Sequence, residues 1–139
     1  MIGKIGANDL GLDPKSGKES ELFKWFLACY LFGHRISQEI AVNTWKVFMA
    51  HGIDSPSKIS SNTWQQLVDL LGEGHYKRYD ESTARNMLNM AALLQDKYQG
   101  KIGNLICASK NRSEIAERLQ EIKGVGPKVA EIFLRDVKA

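Results

Sequence analysis

The sequence predicts an all-α protein, a single helical domain of about six or seven helices. Three observations carry that expectation. Apolar residues recur at spacings of three, four and seven along each extended segment. No stretch shows the period of two that marks a half-buried strand, and the turns read as helix caps, not as Asn-Gly or Asp-Gly hairpins. The chain has 139 residues, the length of one domain and enough to bury a core without disulfide or metal staples.

Residues 1–19 carry glycines and prolines but no helical period, and read as a loosely ordered leader that can lay Ile2, Ile5, Leu10 or Leu12 on the body formed by residues 20–139. Ser20 is a candidate N-cap, and Glu21 sits in the first turn, where the helix dipole favours a negative charge. From Leu22 to Phe32 the residues are apolar almost all round, so this helix should be the central buried one. It stops at Gly33. The loop His34-Arg35-Ile36 follows, with Ser37 as N-cap of a second helix that runs to about His51 and closes at Gly52.

Ser55-Pro56 opens a short turn. A third helix spans Ser61 to Leu71, ended by Gly72 and Gly74, and the segment Gly74-His75-Tyr76-Lys77-Arg78-Tyr79 puts cations and aromatics in one loop, a composition suited to lying against phosphates and sugars. Glu81 to Tyr98 is the longest helix, closed by Gly100. Ile102, Leu105 and Ile106 form a brief helical or irregular link, and Asn111 or Ser113 caps the next helix.

Near the C-terminus, Ile115, Leu119 and Ile122 lead into Gly124-Val125-Gly126-Pro127-Lys128, and Val129, Ala130, Phe133, Leu134 and Val137 resume the helical spacing. This reads as helix, tight bend, helix. Two glycines let the backbone turn with positive φ and approach another surface closely. Pro127 suits the first turn of a helix. The amides of Val125, Gly126 and Lys128 are then expected to face outward at the positive end of a helix dipole beside a lysine, a seat for phosphate.

Composition bounds the partner without naming it. Nineteen Lys and Arg against 16 Asp and Glu give a net charge of +3, which permits an anionic partner but does not demand one. Cys29 and Cys107 are too few for a disulfide framework and lie in apolar runs, so two buried reduced thiols and a cytoplasmic setting are expected. No apolar run reaches the ~20 residues needed to cross a bilayer, and the N-terminus lacks a signal-peptide pattern. His34, His51 and His75 have no metal-ligand spacing with each other or with the cysteines, and no Gly-rich nucleotide loop is present.

The Gly124-Val125-Gly126 core with Lys128 and Ala130 resembles the helix-hairpin-helix element with which many DNA-handling proteins grip a backbone phosphate without reading sequence. The order of elements over residues 20–137 is similar to that of the endonuclease III type of helix-hairpin-helix DNA glycosylase, truncated after the hairpin. The resemblance implies an endonuclease III-like fold, double-stranded DNA as partner, and contacts from Gly124, Val125, Gly126, Lys128, His34, Arg35, Lys77 and Arg78. Arg35 matches the position whose side chain, often Gln or Asn in the family, wedges into the duplex beside a flipped base. A planar guanidinium can also stack between bases.

Lys128 matches the nucleophilic lysine of bifunctional members, although the same position in non-catalytic hairpins only touches phosphate. The family's catalytic aspartate lies beyond the second hairpin helix. Asp136 falls too early, on the helix itself, and does not inherit that role. The family's cysteine cluster has no counterpart, so no iron–sulfur cofactor is expected, while a monovalent cation at the hairpin carbonyls is implied. The expected function is DNA binding of the repair type without complete catalytic machinery. The alternatives are a base-excision glycosylase/AP lyase whose aspartate lies outside this chain, with Lys128 forming a Schiff base, and an interaction scaffold that has lost DNA.

Overall fold

The computed structural model of the protein describes residues 5–137. Among them the fold is all-helical, with eight α-helices, two 3-10 turns and no strand. The helices are α1 (Glu19–Leu31), α2 (Gln38–Ala50), α3 (Pro56–Ser60), α4 (Trp64–Glu73), α5 (Asp80–Tyr98), α6 (Ile102–Ala108), α7 (Arg112–Leu119) and α8 (Pro127–Arg135). The helix beyond the six or seven expected is α3. At five residues it is too short to show a period, but its signals are local: the Ser55 hydroxyl accepts from the Lys58 amide, and Pro56 occupies the first turn.

α1 is the axis of the fold, buried from Leu22 to Leu31 apart from the half-buried Lys24. α2, α6 and α8 all pack against it. Phe26 meets Phe133 of α8 edge to face, ring centroids 5.6 Å apart. The Trp25 indole, fully buried, donates to the Phe133 carbonyl at 3.0 Å, and the Trp45 indole of α2 donates to the Lys24 carbonyl at 3.0 Å. Each large aromatic buried this way contributes about 1.5–3 kcal/mol through lost water contact, and its N–H stays satisfied. α3 and α4 pack on the long α5, and α2 joins the two halves through α4.

Several helix ends differ from the sequence reading. α1 begins at Glu19 after Lys18, so Ser20 lies inside the first turn and does not cap it. Glu19 instead reaches α6, where its carboxylate accepts from the amides of Ile102 at 2.8 Å and Gly103 at 2.9 Å. Burial raises the Glu19 pKa above the ordinary value, against these bonds. α4 begins at Trp64, capped by Thr63 in a reciprocal box with Gln66, the Thr-x-x-Gln pattern that the Ser61 reading passed over. Gly72 sits within the last turn of α4, and Gly74 is the C-cap. Asn111, not Ser113, caps α7. Cys29 is buried, whereas Cys107 is exposed, because α6 turns that face of its one apolar turn outward.

The segment expected as a loose leader forms 3-10 turns at Ala7–Leu10 and Pro14–Ser16. Ala7, Leu12 and Pro14 are buried, and Ile5 and Leu10 are partly so. The Asp136 carboxylate at the end of α8 accepts from the Ala7 amide at 2.9 Å, and Glu21 accepts from Asp13 at 2.8 Å. Ile2 lies outside the described residues.

Candidate functional site

The C-terminal end of α1 brackets three loops at one end of the molecule. The Tyr30 hydroxyl donates to the Lys123 carbonyl at 2.9 Å, holding the bend between α7 and α8. The Tyr76 hydroxyl donates to the Leu31 carbonyl at 2.8 Å, holding the loop between α4 and α5. Gly33 starts the loop between α1 and α2, and a Cβ there would stand 2.8 Å from Cγ2 of Val129. Burial pushes both phenols far above the ordinary tyrosine range, so both remain donors across the physiological range.

The bend is a tight turn over Ile122 to Val125. The Val125 amide donates to the Ile122 carbonyl at 3.0 Å, and Gly124 has φ +93°, the pattern of a type II turn with glycine at its third position. The expectation that the Val125 amide faces outward is therefore corrected: it closes the turn, and its side chain is buried. Gly126 is extended, φ −103° and ψ −173°, and is the N-cap of α8, with Pro127 next. Among the described residues the amides of Gly124, Gly126 and Lys128 have no acceptor within the protein.

That openness singles α8 out. α2, α3, α4 and α7 carry side-chain caps from Ser37, Ser55, Thr63 and Asn111. α1 and α5 carry acidic residues in the first turn, and Glu19 serves α6. Among the described residues α8 alone starts with neither, and Lys128 stands in its first turn. Free amides and an unopposed dipole end make this the position most receptive to an anion.

Beside it lies a groove of about 570 Å³ between the α1–α2 loop and α8. Phe32, Ile36 and Ile132 lie in its apolar part, and His34, Arg35 and Lys128 in its polar part; among the described residues no carboxylate lines it. Three residues singled out in the sequence thus come together. Arg35 and Lys128 are exposed. His34 is half-buried and stacks on Tyr79, centroids 4.4 Å apart and planes 13° from parallel. Burial lowers its pKa, so the ring is neutral at pH 7 and one face is committed to packing. The Arg78 guanidinium lies 5.5 Å from the Tyr79 centroid, which brings it to the same stack. Lys77 is exposed on that loop and does not line the groove.

The loop composition suggested two aromatics available for sugars and bases, and here the structure differs. Tyr76 is fully buried and Tyr79 is occupied by His34, since each ring serves to fasten its loop. Asp136 is the C-cap at the opposite end of α8 from Lys128 and holds the Ala7 amide. Of the bend carbonyls that could face a cation, those of Ile122 and Lys123 already accept from Val125 and Tyr30. Among the described residues no cluster of three or more His, Cys, Asp or Glu side chains could hold a metal ion, and no helix is long and apolar enough to cross a membrane.

The contact of Tyr30 with the bend is what sequence reasoning missed. The place of Tyr30 in an apolar helix marks it as core, which it is, and only the hydroxyl's position reveals the second task. No protein-family model matches the chain, and no curated protein matches it.

Proposed function

We propose that the protein is a DNA-binding module of the repair type, which holds duplex DNA by its backbone without reading sequence. One observation carries the reading: the α8 N-terminus keeps the amides of Gly124, Gly126 and Lys128 unpaired, with no cap and no acidic residue in the first turn. A phosphate oxygen accepting from these amides sits at the positive end of the α8 dipole and next to the Lys128 ammonium. The α7–α8 unit then works as a helix-hairpin-helix element within an endonuclease III-like domain, a relationship supported by the order of the helices and by the bend. Arg35, on the opposite wall of the groove, probes the duplex by stacking or by pairing with phosphate. Arg78 and Lys77 add backbone contacts that fix register.

The test is fluorescence anisotropy with labelled duplexes of unrelated sequence. Two or three phosphate contacts give a log–log salt slope of about −2 to −3, with affinity indifferent to sequence. Absence of duplex binding at low salt contradicts the proposal. Because Lys128 lines the groove with Arg35, a lyase reading has a foothold, and borohydride trapping on an abasic-site duplex addresses it. With no carboxylate among the described residues that line the groove, no adduct is expected; an adduct that disappears in Lys128→Ala establishes the lyase reading instead.

A further inference from the structure

Within a type II turn, the central peptide is the unit that distinguishes it from type I: flipping that peptide exchanges the two forms while the closing hydrogen bond is kept. In this bend the central peptide joins Lys123 to Gly124. Glycine at the third position tolerates both forms, negative φ in one and positive φ in the other, so the residue type alone does not decide between them. Tyr30 does bear on the choice. Its hydroxyl donates to the carbonyl of that same peptide, Lys123, at 2.9 Å. A trans peptide points its C=O and N–H in opposite directions, and no cis bond occurs among the described residues. With the Lys123 carbonyl drawn inward onto α1, the Gly124 N–H is turned away from α1.

The ring acts in the same sense as the hydroxyl. A Cβ on Gly124 would stand 2.8 Å from Cζ of Tyr30 and closer still to its hydroxyl, so the glycine lies directly on the tyrosine. Tyr30 is itself immobilised: it is 3% exposed, its ring packs on Phe26 at 6.1 Å, and burial keeps its proton in place.

We infer that Tyr30 is a positioning residue for the anion seat, fixing the Lys123–Gly124 peptide in the orientation that presents the Gly124 amide outward beside those of Gly126 and Lys128. The inference rests on the function proposed above. It assigns the seat's geometry to a core side chain that touches no ligand. Tyr30→Phe deletes the hydroxyl and keeps the ring, so the fold is retained while the central peptide is released to sample both orientations.

The experiment has two readouts and one control. In the type II turn the Lys123 Hα lies close to the Gly124 amide proton, which gives a strong nuclear Overhauser effect between them; the flipped peptide weakens it. Tyr30→Phe is expected to weaken this signal and to raise the Kd for duplex DNA by about tenfold, measured where both proteins are fully folded. Trp64→Phe removes another side-chain bond to a backbone carbonyl, the more exposed one from the indole to Glu81 at 3.1 Å, away from the bend, and is expected to change neither readout. A Tyr30→Phe protein with the wild-type signal, or with a Kd within about twofold of wild type, overturns the inference alone. Equal weakening in Trp64→Phe also overturns it, by making the loss a general one. A wild type that binds no duplex removes the proposed function, and this inference with it.

Discussion

The two glycines of the bend are separated by one residue and answer to different demands. Gly124 is required by the fold: its φ of +93° suits glycine, and a Cβ would collide with the Tyr30 ring. Gly126 is not. Its backbone is extended, and a Cβ there would meet nothing within 4 Å. The same division runs through the neighbouring loop, where His34 is committed to Tyr79 while Arg35 next to it stands exposed at the groove. What packing leaves unexplained at Gly126 and Arg35 is space and charge, and both lie on the side where the α8 amides are open.

The largest effect is expected where the fold makes the demand. Gly124→Ala combines left-handed strain of ~1–2 kcal/mol with displacement of a packed aromatic at ~1–3 kcal/mol. A loss of about 3 kcal/mol in urea unfolding is the expected result, and a loss below about 0.5 kcal/mol would erase the distinction between the two glycines. Next come the exposed cations. Arg35→Ala and Lys128→Ala should each leave stability within about 0.5 kcal/mol and each reduce the salt slope of duplex binding by about 0.9, the signature of one lost phosphate contact. An unchanged slope in both would place the DNA elsewhere on the surface.

The smallest effect concerns His34. Its folded pKa lies below the unfolded value near 6.5, so the unfolded chain takes up a proton first. The stabilisation is complete above about pH 6.5 and is lost as the pH falls through the folded pKa. Chemical unfolding of wild type and His34→Gln across this range should show wild type losing more stability on acidification. Parallel curves would mean that burial does not lower the His34 pKa in the folded protein.

Much of this architecture was legible in the sequence. The buried run from Leu22 to Leu31, the Ser37 cap and the long α5 follow from spacing and capping chemistry that act within a few residues. The bend was legible as a bend, because two glycines and a proline punctuate it. What stayed hidden are bonds between residues far apart in the chain. Glu19 reads as the last residue of the leader and serves α6; Tyr76 looks like a loop aromatic and is a buried fastener; Tyr30 looks like core and holds a carbonyl 93 positions away. Which amides of the bend stay open was equally hidden, since the Val125 amide closes the turn while the orientation of the Lys123–Gly124 peptide sets where the Gly124 amide points.

Gly126→Asp puts the central claim most directly at risk. A carboxylate at this N-cap supplies the acceptor and the negative charge that α8 lacks, so thermal unfolding should show stability raised by about 0.5–1 kcal/mol. The same carboxylate occupies the phosphate seat, so duplex binding at low salt should disappear, and the neutral Gly126→Ser should weaken it in the same direction. A protein that gains stability and loses DNA is the predicted result. One that keeps wild-type affinity in both variants contradicts the account, because the open amides would then have no part in holding the backbone.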